Sequence, residues 1–242
     1  MKRHVALVIV PIDDFTNQVI TGNYLEFSIP YEKAPVWKPG FYVFSDIKQK
    51  EIIISIKSKL YQSQECSLTL EPANTIIMKV RMVPGEKYAY SKEGISVQGR
   101  GETGKVVRIY STQFRKSYKL SADYIQDKRV SIAHPAEIDF TGKILGMKTR
   151  EEEWFIQLGT LSEEENQYEI TFLSQQEPNR TLRKMEVNLY PVYETKCRED
   201  GSFYLLLPKG EGEKLHAKLN YEGKEQEIVL DTTKQNTINL VE

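Results

Sequence analysis

Short apolar runs, most of them alternating with polar residues, dominate the first third of the chain and predict β-strands. Residues 5–10 are apolar at every position, which is typical of a strand covered on both faces. In residues 24–29 the apolar side chains alternate, so one face is buried and the other solvated. About six or seven such runs, spaced by roughly ten residues with almost no helical periodicity, predict a β-sandwich over residues 1–84. The remaining runs are residues 41–44, 52–56, 66–70 and 76–82.

A glycine turn that leads directly into an aromatic strand occurs twice. Gly40 precedes Phe41-Tyr42-Val43-Phe44, and Gly201 precedes Ser202-Phe203-Tyr204-Leu205. Glycine readily adopts the positive φ of a tight turn, and aromatic residues suit a half-buried strand. The two glycines stand 161 positions apart, as do the prolines at the ends of the preceding strands. This spacing predicts that residues 162–242 form a diverged second copy of the first module.

The middle of the chain, residues 85–161, predicts a third small β-domain. A glycine-rich turn at residues 99–104 separates two apolar runs, which is typical of a β-hairpin. Further strand candidates are residues 118–120, 130–133, 143–147 and 154–158. The sequence thus predicts an all-β protein of three tandem domains, residues 1–84, 85–161 and 162–242, with a small sandwich or barrel in the middle.

Length and charge narrow the function classes. The chain has 242 residues, a mass of 28.0 kDa and a net charge of −1, so no global field favours nucleic acid or an anionic membrane. No apolar stretch approaches the roughly 18 residues that span a bilayer. The basic run at residues 180–184 is typical of a solvated strand edge, and the acidic runs 151–153 and 163–165 of solvated loop tips.

The cysteines and the N-terminal apolar run favour a cytoplasmic protein. Cys66 and Cys197 are too few for a disulfide framework. Residues 5–10 form a run shorter than the apolar region of a secretory signal, and no small-residue cleavage site follows.

Several motifs follow one another in order along the first module. They are residues 8–13, Thr16, Ile20-Thr21-Gly22, residues 40–44, Ile54-Ser55-Ile56 and Tyr61. This ordered set resembles the carboxypeptidase-regulatory-like (transthyretin-like) β-sandwich. The resemblance implies that fold for the two outer modules and an accessory or scaffolding role, and it transfers no catalytic residue.

The opening from His4 through Gly22, joined to residues 40–44, also resembles accessory proteins of bacterial phage-tail-like contractile injection systems. That resemblance implies a role in assembling or decorating a particle in the cytoplasm, with tail or baseplate proteins as partners.

A phosphate-binding loop is matched only in part. Residues 99–105 fit the G-x-x-x-x-G-K pattern, but Val106 stands where a hydroxyl should hold Mg²⁺. The mechanism also needs a helix N-terminus beneath the loop, and residues 106–110 predict a strand. A hairpin turn is the better interpretation.

The sequence gives little support for a catalytic zinc site or for a nucleophilic residue. His134 and Glu137 have H-x-x-E spacing, but a catalytic zinc needs three protein ligands, and His4 and His216 lie in other modules. Cys66 alternates with leucines, which is typical of a buried inert thiol, and Cys197 has no histidine nearby in sequence. The adjacent pair Asp13-Asp14 points in opposite directions on an extended chain and favours a turn.

Aromatic side chains leave carbohydrate binding open as an alternative. They are also the normal filling of small β-domains. The candidates for a stacking platform are Trp37, Tyr42, Tyr88, Tyr90, Tyr118 and Tyr124.

The sequence therefore predicts a non-enzymatic structural or adaptor protein that docks onto other proteins through strand edges and loops. It predicts no catalytic, cofactor-binding or metal-binding residue, no nucleic-acid partner and no membrane insertion, and it leaves the oligomeric state open. A carbohydrate-binding or adhesion module is the alternative, and a zinc-dependent hydrolase is third.

Overall fold

The computed structural model describes residues 4–71, 74–111, 119–120, 124–125, 128–133, 139–162, 167–173, 178, 182–183, 187–210 and 212–241. The protein is all-β, as the sequence predicts. The chain forms two compact units, Met1–Ala89 and Tyr90–Glu242, named here the N-terminal and C-terminal units.

The N-terminal unit has two sheets whose apolar faces meet. Its strands are β1 (Val5–Asp13), β2 (Leu25–Ser28), β3 (Val36–Lys38), β4 (Phe41–Ser45), β5 (Glu51–Ser58), β6 (Gln64–Thr69) and β7 (Ile76–Met82). One sheet has the order β3-β4-β1-β7 and the other β2-β5-β6. Phe27 of β2 and Tyr42 of β4 pack across the core with ring centroids 4.4 Å apart. The predicted sandwich is confirmed, and every strand predicted before residue 85 is present.

The C-terminal unit combines a second sandwich with an inserted lobe. The sandwich comprises β8 (Gly94–Arg100), β9 (Val106–Tyr110), β18 (Asn188–Lys196), β19 (Ser202–Pro208), β20 (Lys214–Tyr221), β21 (Lys224–Asp231) and β22 (Asn236–Asn239). A 3₁₀ turn, Ser91–Glu93, precedes β8. The lobe comprises β10 (Lys119–Leu120), β11 (Tyr124–Ile125), β12 (Arg129–Val130), β13 (Ile132–Ala133), β14 (Ile144–Lys148), β15 (Glu153–Ser162), β16 (Gln167–Phe172) and β17 (Leu182–Arg183).

The lobe and the sandwich share one long sheet. An eight-stranded sheet runs β12-β16-β15-β14-β18-β9-β20-β21, a three-stranded sheet has the order β19-β8-β22, and β10-β13 and β11-β17 form short pairs. One buried cluster lies in the lobe and includes Trp154, Ile156 and Tyr168. A separate cluster, which includes Val97 and Phe203, fills the sandwich. The lobe therefore has its own core while it extends the sheet of the sandwich.

The two sandwiches share the pairing around their first strands and differ in the strand before the Gly-aromatic strand, because β3 pairs with β4 whereas β18 pairs with β9. In the N-terminal unit, β1 lies between antiparallel β4 and parallel β7. In the C-terminal unit, β8 lies between antiparallel β19 and parallel β22. The second sheets correspond as well, because β2-β5-β6 and β9-β20-β21 are both antiparallel throughout. Gly40 and Gly201 thus introduce equivalent strands, with φ values of +90° and +77°.

The second copy begins much earlier in the chain than the sequence predicts. Its first two strands, β8 and β9, fall in the predicted middle domain 85–161, and the lobe separates them from the other five strands. Strands assigned to residues 85–161 and 162–242 therefore pair within one sheet, as β9 does with β18. The chain has two units where three domains are predicted, because an insertion interrupts the second sandwich after β9.

The glycine-rich turn at residues 99–104 is not a hairpin. The strands on either side of it, β8 and β9, belong to different sheets of the sandwich. The turn therefore crosses from one sheet to the other. In the N-terminal unit, the segment between β1 and β2 makes the equivalent crossing.

Candidate interaction surface

The outward face of the four-stranded sheet in the N-terminal unit carries a continuous row of β-branched side chains. Val36 pairs with Val43, Val43 with Val8, and Val8 with Ile77, so the row crosses all four strands. Directly paired residues point to the same face of a sheet. Val36 is 52% exposed and Ile77 67% exposed, while Val43 and Val8 are half-buried. This side of the sheet faces away from the core.

The next row on the same face is apolar in its centre and basic at both ends. Phe41 pairs with Lys38 at the β3 edge, and Val10 pairs with Lys79 at the β7 edge. Phe41 is exposed and Val10 half-buried. The six apolar side chains of the two rows are named here the outer apolar face: Val8, Val10, Val36, Phe41, Val43 and Ile77.

β1 is apolar on both faces, and the middle of its outward face is only half-buried. Leu7 and Ile9 are fully buried, and Val8 and Val10 between them remain half-buried on the outward face. The equivalent strand of the C-terminal unit differs. There Ile95 and Val97 point into the core, and the half-buried outward positions carry the polar residues Ser96 and Gln98.

A buried carboxylate fixes the end of β1. The backbone N–H groups of Phe15 and Thr16 donate to one oxygen of Asp13, at 2.8 and 2.9 Å. The hydroxyls of Tyr61 and Tyr88 donate to the other oxygen, at 2.8 and 2.5 Å. A buried carboxylate that accepts four hydrogen bonds is well compensated. The predicted turn at Asp13 is thus also the anchor that holds β1 and its outward row in place.

A second cluster of polar and aromatic side chains lies on the outward face of the eight-stranded sheet, where the lobe meets the sandwich. The rings of Tyr110 and Tyr190 stack with centroids 5.3 Å apart, and Phe155 meets Tyr110 edge-on at 5.4 Å. The Tyr110 hydroxyl donates to Glu225 and the Tyr190 hydroxyl to Glu153. Strands of the sandwich carry Tyr110, Tyr190 and Glu225, and a strand of the lobe carries Glu153 and Phe155, so this cluster joins the two.

The electrostatics of this cluster keep its protons in place. Burial, the hydrogen bonds to carboxylates and the carboxylate charges raise the pKa of Tyr110 and of Tyr190 well above the ordinary tyrosine value of 10.0. Burial opposes the ionisation of Glu225, but hydrogen bonds from Lys218 and Tyr110 outweigh it and lower the pKa of that carboxyl. Both tyrosines therefore keep their protons and donate them to the side chains of Glu225 and Glu153, an arrangement suited to a structural joint.

The partial phosphate-loop motif uses its amides within the protein. Gly101 donates to the Gly201 carbonyl at 2.9 Å, and Gly104 donates to the Cys197 carbonyl at 2.9 Å. The Glu102 N–H donates to the Tyr221 hydroxyl at 2.8 Å. These groups hold the crossing turn against the sandwich, so they are not directed at an anion.

Neither the histidines nor the cysteines form a described reactive site. His134 and Glu137 lie outside the described residues, and His4 and His216 are exposed in different units. Burial raises the pKa of the Cys66 thiol and of the Cys197 thiol, which lowers their reactivity. Within the part of the chain that the structure describes, no three His, Cys, Asp or Glu side chains form a group able to hold a metal ion.

The predicted aromatic platform is dispersed. Tyr42 and Tyr88 are buried in the N-terminal unit, where they cannot stack on a ligand. Trp37 and Tyr90 are exposed but belong to different units. Some predicted features fall wholly or partly outside the described residues or side chains. They are the platform positions Tyr118 and Tyr124, the basic run 180–184 and the acidic run 163–165.

The outer apolar face was not predicted from the sequence. Its strongest signal was the unbroken apolar run at residues 5–10, which exceeds what one buried face requires. The neighbours on β3, β4 and β7 carry no local signal that they share a face with it.

Of the helical residues that the structure describes, none belongs to a segment long and apolar enough to cross a membrane.

Comparisons with known proteins return distant likenesses only. No protein-family model matches the chain, and no curated protein matches it. Among solved structures, the Bacillus anthracis TIE protein has a TM-score of 0.29 at 9% identity, with 98% of this chain and 50% of that chain covered.

Two pilins give similar values. BcpA*(D312A), the major pilin subunit of Bacillus cereus, has a TM-score of 0.27 at 8% identity, covering 98% of this chain and 99% of that one. The shaft pilin SpaA from Lactobacillus rhamnosus GG has a TM-score of 0.25 at 10% identity, covering 98% and 97%. The chain spans half the length of the Bacillus anthracis protein.

Proposed function

We propose that this chain is a non-enzymatic structural or adaptor protein that binds another protein through the outer apolar face of its N-terminal unit. The observation that carries the proposal is the apolar surface around the outward side of β1. Val8 and Val10 of β1 are only half-buried there, and the neighbouring side chains of Val36, Phe41 and Ile77 are exposed. Contiguous exposed apolar patches of this kind mark interaction sites.

The size of the face suits the centre of an interface. Fully burying a Val or Ile side chain contributes about 1.5–3 kcal/mol. Because Val8 and Val43 are already half-buried, covering the row of four adds on the order of 4 kcal/mol. That gain is comparable to the lower end of the cost of association, about 4 kcal/mol. The apolar row therefore needs a polar rim around it, as interfaces commonly have.

The C-terminal unit provides the internal contrast. Ser96 and Gln98 occupy the outward positions of β8, where β1 has Val8 and Val10. Two strands with the same pairing partners in their sheets thus carry outward residues of different polarity. That difference supports a binding role for the outer apolar face, because the fold itself does not require it.

A matched pair of substitutions tests the proposal. Ile77→Lys places a charge in the outer apolar face, and Ile53→Lys places the same charge on the opposite sheet of the same unit, where Ile53 is 53% exposed. Affinity purification with the wild-type chain and each variant should recover a partner with the wild type and Ile53→Lys only. Equal recovery with Ile77→Lys would contradict the proposal.

We propose a place in a phage-tail-like contractile particle assembled in the cytoplasm on the sequence resemblance alone. The transthyretin-like identity of the two sandwiches rests on that same ground. Purified tube, sheath and baseplate proteins provide the direct test by pull-down with the full chain. Retention of one of them by the wild type and loss with Ile77→Lys is expected, and a strict monomer that retains none would contradict this role.

A further inference from the structure

We infer that the occupant of the outer apolar face is an amphipathic helix of a partner protein, lying along β1 and β4 with an acidic side chain at Lys38. This inference rests on the proposed function and specifies the partner. It is argued from the width of the apolar region, its area and its charge.

The apolar side chains are concentrated on the two central strands. Val8 and Val10 on β1 and Phe41 and Val43 on β4 form a block two strands wide. Neighbouring strands are about 4.8 Å apart, so a helix about 10 Å in diameter that lies along them covers both. Val36 and Ile77 then contact the two flanks of the helix, because they lie on the outer strands of the same row.

The area is too small for a stable pair of copies joined by this face alone. Four strands span about 15 Å between the outermost strand axes, and the two rows are about 7 Å apart along each strand. With side-chain widths included, the patch covers a few hundred Å², on the order of half or less of the roughly 800 Å² per partner of a standard interface. The apolar stripe of one helix matches this footprint.

The charge of the two rows is of one sign. Their eight positions carry Lys38 on β3 and Lys79 on β7 and no carboxylate. Lys38 is exposed at the side of the apolar block. A helix along the block brings the residues that border its apolar stripe next to Lys38, so an Asp or Glu there forms an ion pair at the rim.

The second copy shows that the same face of this fold can be covered. In β19, the equivalent of β4, Phe203 and Leu205 point into the sandwich core. Tyr204 and Leu206 alternate with them and so point outward, yet each is only 3% exposed. The outward face of the Gly-aromatic strand is therefore buried in the C-terminal unit and open in the N-terminal unit.

Peptide selection on the folded protein tests the inference. A displayed library of random peptides of about sixteen residues is panned on the wild-type chain, Ile77→Lys and the matched Ile53→Lys. We expect enriched peptides on the wild type and Ile53→Lys with apolar residues at i, i+3, i+4 and i+7 and an Asp or Glu beside that stripe. Synthetic copies should gain helical circular dichroism on binding and lose at least about tenfold in affinity for Ile77→Lys.

Charge reversal tests the rim contact. Lys38→Glu should lower the affinity for the same peptides by roughly three-fold, and this difference should disappear at high salt. Lys57→Glu, an exposed lysine of β5 on the other sheet, serves as the control and should leave affinity unchanged. Urea unfolding of each variant confirms that these exposed substitutions leave the fold intact.

The contrary outcomes are distinct from one another. Enriched peptides that depend on Ile77 but show period-two alternation would overturn the helix and leave the proposed function standing. Peptides that bind Ile77→Lys as tightly as the wild type would overturn both the helix and the proposed function. So would a wild-type chain that selects no peptide. A wild-type dimer in light scattering that Ile77→Lys dissociates would assign the face to a second copy and overturn the helix.

Discussion

Gly101 donates its backbone N–H to the carbonyl of Gly201 at 2.9 Å, which joins two glycine turns that lie on opposite sides of the inserted lobe in sequence. Gly101 belongs to the crossing turn between β8 and β9, and Gly201 introduces β19. The contact closes the second sandwich across the insertion.

Alanine at Gly201 should destabilise the protein more than alanine at Gly104. Both glycines have φ +77°, but a Cβ at Gly201 would lie 2.8 Å from the Gly101 carbonyl oxygen, and one at Gly104 meets nothing within 4 Å. Gly104→Ala should cost about 1–2 kcal/mol for the left-handed backbone alone. Gly201→Ala should cost at least about 1 kcal/mol more, because the contact must also shift. Urea unfolding measures the loss of stability in both variants. Equal losses would show that the contact with the Gly101 carbonyl shifts at no cost.

Asp13→Asn should destabilise the N-terminal unit by about 2–4 kcal/mol, because a neutral amide replaces a buried carboxylate that accepts four hydrogen bonds. Tyr88→Phe removes one of those donors and should cost about 1–2 kcal/mol. Asp46→Asn is the control, since Asp46 is exposed and accepts from the His4 N–H. Chemical denaturation should give the largest loss of stability for Asp13→Asn, a smaller one for Tyr88→Phe and the smallest for Asp46→Asn. A loss for Asp13→Asn no larger than for Asp46→Asn would contradict this prediction.

Stability should fall as pH rises past the ordinary tyrosine pKa of 10.0. Burial and the bound carboxylates raise the pKa of Tyr110 and Tyr190 in the folded protein, so their contribution is complete below pH 10.0 and is lost above it, as the unfolded chain releases those protons. Urea unfolding between about pH 8 and about pH 11 measures the slope. The double variant Tyr110→Phe/Tyr190→Phe should flatten it, whereas Tyr24→Phe at an exposed site should not. A wild-type slope in the double variant would contradict the assignment.

The second sandwich should fold without the lobe. Tyr110 pairs with Val192 on adjacent antiparallel strands, so an Asn-Gly turn can link Ser111 to Pro191 as a two-residue hairpin loop. A chain of residues 90–111, Asn-Gly and 191–242 should unfold cooperatively, though with less stability than the intact unit, because Tyr110 loses Phe155 and Tyr190.

Residues 162–242 alone are the matched comparison. This segment lacks Ile95, Val97, Val107 and Ile109 of the sandwich core and should stay unfolded. Circular dichroism and denaturant titration distinguish the two chains. A cooperative transition in residues 162–242 would restore the division into three domains.

Local sequence patterns predict much of the fold. Alternation and turn residues locate the strands of the N-terminal unit, because side-chain direction along a strand depends only on the backbone. The equivalence of Gly40 and Gly201 is also visible, since a positive φ before an aromatic strand limits the residue types that fit.

The partners of each strand were decided only by the tertiary structure. The turn at residues 99–104 has the composition of a hairpin, yet β8 pairs with β19 and β22, more than 90 residues away in the chain. No local pattern indicates that the lobe interrupts a sandwich, because long-range pairing depends on which apolar faces can be buried together.

The candidate surface shows the same division between local and long-range information. The sequence by itself determined that β1 is apolar on both sides. Only the tertiary structure decided that Val8 would lie between Val43 and Ile77 on a face that the sandwich leaves open. The physical reason is that hydrophobic residues specify burial without specifying the partner, and the partner follows from how the strands assemble.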